Sequence, residues 1–355
     1  MIEATDLRAA LAQGATLPAD WYTDPAVLGL EREQILARAW QYGGRADLVS
    51  EPGSYFTTLA GHVPIVVVRD REGELRGFVN VCRHRGHLVA DGAGSRNSLQ
   101  CRYHAWTYDL DGSLRTAPRS EREAAFDPEA YSLLPVSVEA WGPLVFVNPD
   151  PAAAPLADAL GKLPAHLADG GLDVGQLRHR ERVEWEVASN WKIAMENYLE
   201  CYHCPVAHPG FSKVIDVDPD AYLLEADGLV SSQFGSLRDG KPDNGMARAQ
   251  YHLLWPTTTF NVDPGPGNMS ADVTRPAGVD RCIGVTDYYF YEDVSEETAR
   301  EMIEFASQVA REDADLVESV QRGLASGMVP HGRLLLSSEH LIQHFQKLVA
   351  DALLG

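Results

Sequence analysis

Four residues in the stretch CRHRGHLVADGAGSRNSLQCRYHAW have the types and spacing of metal ligands. They read Cys82-x-His84, sixteen intervening residues, then Cys101-x-x-His104. Two thiolates and two imidazoles from two short loops can close a tetrahedral zinc site. They can equally hold a [2Fe–2S] cluster, with two cysteines on one iron and two histidines on the other. Gly86, Gly92 and Gly94 favour the cluster. Glycines let backbone turn closely around a buried object and aim N–H groups at sulfur, which tunes a reduction potential. Replacing two thiolates by neutral imidazoles makes such a cluster less negative and easier to reduce. His87 lies in the same loop but outside this spacing, and is expected to be a surface or packing residue.

A second group lies in ASNWKIAMENYLECYHCPVAHP. Ser189-Asn190 resembles a cap, and the spacing predicts a helix on which Glu200 and His203 share one face. Pro205 is expected to end the regular turn. On an unbroken helix His203 and His208 would point about 140° apart, whereas an irregular end lets both converge on one ion. Two neutral imidazoles and a carboxylate form the 2-His-1-carboxylate set that binds Fe(II) and leaves positions open for O2. The carboxylate has to come from elsewhere, and VAREDADLVESVQRGL offers Glu312, Asp313, Asp315 and Glu318. Glu200, one turn before His203, is placed to accept a hydrogen bond from a ligand imidazole. Cys201 and Cys204 read as buried packing cysteines rather than a redox or zinc pair, because no second Cys-x-x-Cys completes a site.

These groups need a scaffold that mixes sheet and helix. PAVLGLEREQILARAW, near residues 25–40, spaces Leu28, Ile35, Leu36 and Trp40 as a helix face. From 45 to about 150 the texture is β-like. PIVVVRD and GFVNVC flank a turn at Asp70–Gly73, Asp111-Gly112 suits a hairpin, and GPLVFVN closes the region. The Pro/Ala-rich PDPAAAPLADAL then leads into a helix. Beyond it, helical patterns alternate with strand-like runs such as TTTFNV and RCIGVTDYYFY. A last helix, SSEHLIQHFQKLVADALL, follows a serine cap. The expected fold is α+β: a small β-rich domain (45–150) inserted in a larger α+β domain with an antiparallel sheet (151–355), on which a helical segment (1–44) packs.

Composition narrows the function. A net charge of −21 repels a phosphate backbone, which argues against nucleic acid. No apolar run approaches the roughly 20 residues of a membrane span. The N-terminus lacks the basic and apolar regions of a signal peptide. Five cysteines, an odd and modest number, argue for a reducing compartment, so a cytoplasmic protein is expected. One region departs from the acidic balance. Nine arginines face six Asp and Glu between Arg71 and Arg122, a local excess of three positive charges. Such a face could dock an acidic electron donor.

Cys82-Arg83-His84-Arg85-Gly86 with Cys101-Arg102-Tyr103-His104-Ala105-Trp106 resembles the Rieske motif of the ring-hydroxylating, non-haem iron oxygenases. Asn190-Trp191-Lys192, Glu196-Asn197 and Glu200-x-Tyr202-His203 with His208-Pro209 resemble the iron motif of the same family. The resemblance implies a Rieske domain and a catalytic domain, with a [2Fe–2S] cluster on Cys82, His84, Cys101 and His104. It implies a mononuclear Fe(II) on His203 and His208, with Asp313 as third ligand and Asp315 as the runner-up. It further implies a homotrimer in which Glu200 bridges a Rieske histidine of one subunit to an iron histidine of the next. Electrons would come from NAD(P)H through a separate flavin and iron–sulfur reductase, since the chain has no Gly-rich dinucleotide fingerprint. With O2 the family hydroxylates, dihydroxylates or oxidatively demethylates small organic molecules. Ring dioxygenases usually carry Asp where this chain has Glu200, while the choline-, betaine- and carnitine-type branch carries Glu. A quaternary ammonium substrate is therefore expected, with Trp255, Phe260, Tyr288 and Tyr289 as cage aromatics. An aromatic acid or other ring substrate is the alternative, and a zinc-stabilised binding protein without enzymatic activity is the other.

Overall fold

The structure, a computed structural model, describes residues 4–240 and 245–355. The chain forms two compact units, one running up to Ile35 and resuming at Ala157–Gly355, the other Leu36–Leu156. Sheets of both units are antiparallel throughout and helices flank them in sequence, so the expected α+β class holds.

In the unit Leu36–Leu156 ten strands form two sheets: β1 Gln41–Arg45, β2 Ser54–Ala60, β3 Val63–Arg69, β4 Leu75–Val79, β5 Ala93–Ser95, β6 Leu99–Gln100, β7 Thr107–Tyr108, β8 Leu114–Thr116, β9 Pro135–Trp141 and β10 Leu144–Asn148. Seven pair in the order β1-β10-β9-β4-β3-β2-β5, and β6-β7-β8 make a separate meander. The central run Ile65–Val68 is fully buried, as β-branched residues on a doubly covered strand should be. The predicted turn between β3 and β4 is closed by Asp70, whose carboxylate accepts the Glu74 N–H at 2.8 Å. Asp111-Gly112 turns between β7 and β8. There Gly112 has φ 88°, and a Cβ would stand 2.4 Å from the Phe78 ring, so no other residue fits.

The other unit holds helices α1 Ala4–Ala12, α2 Pro25–Glu31, α3 Leu156–Leu160, α4 Leu163–Asp169, α5 Trp191–Tyr198, α6 Cys204–Ala207, α7 Phe211–Val214, α8 Glu296–Ala325 and α9 Leu336–Leu354. Its sheet is built from β11 Arg178–Val187, β12 Leu223–Asp227, β13 Val230–Ser236, β14 Arg248–Leu254, β15 Thr258–Val262, β16 Asn268–Pro276 and β17 Cys282–Phe290, in the order β11-β17-β16-β15-β14-β13-β12. Leu7, Leu11 and Tyr22 from the N-terminal segment pack with Leu341, Phe345 and Trp191 in one core. Two expectations are corrected here. The helix at 25–40 stops at Glu31 and continues as a π-helical turn over Arg32–Leu36. The final helix starts at Leu336 with no side-chain cap, so its serines lie in the first turn.

A buried ion pair anchors α5, the helix that leads into the histidines. Lys192 Nζ lies 2.5 Å from Glu31 Oε1, both fully buried, and Trp191 Nε1 donates to Glu31 Oε2 at 2.8 Å. The Asn190 carboxamide caps the helix by accepting the Lys192 N–H at 3.0 Å. Thus Asn190-Trp191-Lys192 fixes where the helix begins and what it packs on. Among the described residues no helix is long and apolar enough to cross a membrane.

Candidate active site

His203, His208 and Asp313 come together. One ligand atom from each lies within 4.8 Å of the others. The two Nε2 atoms are 3.1 Å apart, and Asp313 Oδ1 is 3.0 Å from His208 Nε2 and 3.5 Å from His203 Nε2. Each imidazole is held from behind by a glutamate. Glu200 Oε1 accepts from His203 Nδ1, and Glu312 Oε2 accepts from His208 Nδ1 at 2.8 Å. A ring whose Nδ1–H is engaged presents its Nε2 lone pair, so both lone pairs face the gap that Asp313 completes. The donor set fits a divalent iron with open coordination positions. Asn197 Nδ2 donates to Asp313 Oδ1 at 2.6 Å and orients the acid.

Protonation follows from this crowding. Burial pulls the His203 pKa down, but the Asp313 and Glu200 carboxylates outweigh it and bring it to about 9, so the ring would release its Nε2 proton to offer that lone pair to a cation. Burial pushes Asp313 up, while the hydrogen bonds from His203 and His208 pull it to about 2. A carboxylate ionised so far below neutrality is a ready ligand for a cation.

Several local readings are corrected. Helix α5 ends at Tyr198, so Glu200 and His203 sit in the turn after it rather than on one helical face. The turn is closed by Glu200 itself, whose Oε2 accepts the backbone N–H groups of Tyr202 and, at 3.2 Å, His203. Pro205 lies in the first turn of α6, where its missing N–H is not needed, so it starts a helix instead of ending one. Cys201 and Cys204 are buried, yet they are joined in a disulfide around His203 and are not free packing thiols. The turn sets their Cα atoms 4.9 Å apart, within disulfide reach. Glu312, one of the four carboxylates offered by the run VAREDADLVESVQRGL, reaches His208 Nδ1 and not the gap, whereas Asp315 is exposed and outside the group. Loss of the Glu312 contact frees the His208 ring to turn. Glu312→Gln should weaken iron binding by about 10–100-fold, read by titrating apo-protein with Fe(II). An unchanged affinity would mean that Asp313 alone positions His208.

The triad forms part of one wall of a cavity of about 540 Å³ between the sheet and helices α5 and α8. Its aromatics are Trp185, Tyr198, Tyr222, Tyr251, Tyr288 and Phe305, among others. Of the four aromatics expected to cage a cation, only Tyr288 lines it. Successive strand residues face opposite ways, so Tyr289 and Phe260 point into the core beyond the sheet. Trp255 packs on Trp191 and Phe345, with ring centroids 6.4 and 5.2 Å away.

The four cluster candidates occupy two loops of the other unit. Cys82 and His84 lie between β4 and β5, Cys101 and His104 between β6 and β7. Both cysteines are buried, both histidines are exposed, and the His84 and His104 rings are 4.6 Å apart. The loops close alike. The Gly86 N–H donates to Cys82 O and the Ala105 N–H to Cys101 O, each at 3.0 Å, and both residues take positive φ, 77° and 55°. Two matching knuckles that bury sulfur and expose imidazole suit a cluster with one shielded and one accessible iron. Tyr108 Oη lies 3.3 Å from Cys82 Sγ and is placed to donate to it. Exposed His87 donates from Nδ1 to the Leu88 carbonyl, and its ring lies 6.1 Å from that of Tyr103, in keeping with a surface residue.

Each candidate site lies within a stretch of the chain that matches a known family. Residues 39–135 match the family described as Rieske [2Fe-2S] domain, and residues 174–355 match Ring hydroxylating alpha subunit (catalytic domain). The chain belongs to the Rieske ring-hydroxylating oxygenase α subunits. This Rieske oxygenase is an oxidoreductase with a [2Fe–2S] cluster and a mononuclear iron, which sets aside the zinc-stabilised binding protein. It is 35% identical over 349 residues to the carnitine monooxygenase oxygenase subunit of Acinetobacter pittii, covering 95% of this chain and 94% of that one. It is 34% identical to the chloroplastic choline monooxygenase of Spinacia oleracea, covering 93% of this chain and 76% of that one. The solved structure of the quaternary ammonium Rieske monooxygenase CntA with L-carnitine superposes with a TM-score of 0.84 at 34% identity, over 97% of both chains.

Proposed function

We propose that this Rieske oxygenase is the terminal, oxygen-activating component of a cytoplasmic system that hydroxylates or oxidatively demethylates a quaternary ammonium compound. The observation that carries the reading is the tyrosine-rich cavity with the His203–His208–Asp313 group on its wall, in a chain related to carnitine and choline monooxygenases. Cys82, His84, Cys101 and His104 hold the cluster in the domain of residues 45–150. His203, His208 and Asp313 hold iron in the domain of residues 151–355. When bound, the two centres supply electrons singly and a site for O2. The chain's own part is to orient ligands through Glu200, Glu312 and Asn197, to confine the substrate, and to exclude bulk water.

Three copies form a homotrimer in which Glu200 also reaches a Rieske histidine of the neighbouring subunit. Glu200 Oε2 is taken up by the Tyr202 and His203 N–H groups, whereas Oε1 accepts only from His203 Nδ1 and keeps a second lone pair, which leaves room for that bond. A separate flavin and iron–sulfur reductase supplies electrons from NAD(P)H. The exposed Arg85 and Arg102 on the cluster loops support an acidic docking partner, while Arg76 and Arg115 are already paired to Asp70 and Asp109. Steered encounters weaken when salt screens them. Cluster reduction by the reductase should slow several-fold between about 0.05 and about 0.5 M salt. A rate indifferent to salt would leave those arginines as ordinary surface.

Turnover with the reductase tests the substrate class. Choline, carnitine and γ-butyrobetaine are compared with benzoate and naphthalene by ¹⁸O2 incorporation into product. Label in a product of a quaternary ammonium compound supports the reading. Label only in ring products would overturn it.

A further inference from the structure

If the substrate is a quaternary ammonium compound, as proposed, the charges on the cavity wall distinguish among such compounds. Fully buried charges elsewhere in this unit have partners of opposite charge, and Glu196, held by the neutral Tyr22 and Gln346, lies off the cavity. Asp287, fully buried, binds Arg182 at 2.5 Å and His179 at 2.9 Å, and Lys192 is paired with Glu31. Two carboxylates on the cavity wall have none. Asp272 on β16 accepts hydrogen bonds from Asn261 Nδ2 at 3.0 Å, Ser270 Oγ at 2.9 Å, and Thr286 Oγ1. Asp263, just after β15, accepts from Tyr251 Oη at 3.0 Å. All these donors are neutral. Among the described residues no lysine, arginine or histidine forms an ion pair with either acid. Both acids keep some accessible surface because they face the cavity.

Leaving such groups charged and unpaired is costly. Burial pushes Asp263 above its ordinary range and Asp272 to about 6, so a cation held in the cavity would stabilise the ionised form of both. Tyr198, Tyr251 and Tyr288 line the same cavity, and aromatic rings attract quaternary ammonium groups. Nothing comparable awaits an anion. The only lysine or arginine on the described lining is Arg311, which is exposed to solvent. The iron itself would be matched by Asp313 and by the Glu200 and Glu312 carboxylates on its histidines.

We propose that Asp263 and Asp272 form the cation-recognition wall of this cavity, and that the substrate is a quaternary ammonium compound with an uncharged remainder, choline-like rather than zwitterionic. A carboxylated substrate would bring a second buried charge that the wall repels and that no buried base receives.

Isothermal calorimetry on the holoenzyme at about pH 8, where Asp272 is ionised, tests this. The probes are choline, its uncharged carbon isostere 3,3-dimethylbutan-1-ol, L-carnitine and γ-butyrobetaine. Choline should bind roughly tenfold or more tightly than each of the others. Asp272→Asn should weaken choline by roughly tenfold while leaving the isostere unchanged and the cluster and iron content intact. Asp263→Asn, which keeps a partner for Tyr251, should act in the same direction and guards against a folding defect in the first variant. Carnitine or γ-butyrobetaine binding more tightly than choline would overturn this inference and leave the quaternary ammonium reading standing. Choline affinity unchanged in both variants would overturn it too. If no quaternary ammonium compound bound at all, the broader reading would fall with it.

Discussion

Asp313→Ala should purify with its red-brown cluster intact, about one iron atom short per chain, and without measurable turnover. The expectation follows from geometry. Asp313 Oδ1 is the third donor facing the gap between two Nε2 atoms, and its pKa of about 2 keeps it anionic at every working pH. Removing it leaves two neutral imidazoles, too few to hold a hard divalent ion against water. The proposed cluster ligands belong to the other compact unit, so the Rieske spectrum should not change. Iron analysis beside the visible spectrum checks both halves at once. Asp315→Ala provides the control, since that residue is exposed and outside the group. An active Asp313→Ala variant beside a dead Asp315→Ala variant would transfer the role.

Glu200→Gln should keep cluster and iron yet turn over about 10–100-fold more slowly. A carboxamide oxygen can still accept from the Tyr202 and His203 backbone, which preserves the turn. It cannot draw the His203 Nδ1 proton as a carboxylate does, and one side of it now donates. If Glu200 also reaches the neighbouring subunit, the loss falls on electron delivery and not on metal content. Oxidation of a pre-reduced cluster should then be slow even with substrate and O2 saturating. Normal oxidation would remove the bridging role, and missing iron would make Glu200 a ligand. Glu200→Asp should also be impaired, because the shorter arm leaves the same gap unspanned.

The candidate metal sites were legible because ligands must be of few types at short separations. Cys82, His84, Cys101 and His104 sit on two tight loops, and His203 and His208 on one turn. Strands were legible from β-branched runs such as Ile65–Val68 and from the Asp111-Gly112 turn. The features that stayed hidden depend on tertiary placement. Glu312 looks like any acid on a charged helix until α8 sets it 2.8 Å from His208. A compositional list of aromatics cannot say that Tyr288 faces the cavity while Tyr289 faces away, because the parity of a strand is set by its neighbours. Asp263 and Asp272 carry no sequence signal either, since what marks them is a place on the cavity wall without a cationic partner. The end of α5 at Tyr198 came earlier than Pro205 suggested, because the Glu200 side chain supplies the acceptors that close the turn.

Single turnover of the wild-type enzyme tests the assigned chemistry most directly. The cluster is reduced, excess reductant is removed, and the protein is mixed with O2 alone, with O2 and choline, or with O2 and benzoate. Choline should accelerate loss of the reduced-cluster spectrum and yield an oxygenated product, while O2 alone and benzoate should do neither. Acceleration and product with benzoate but not with choline or any other quaternary ammonium compound would contradict it.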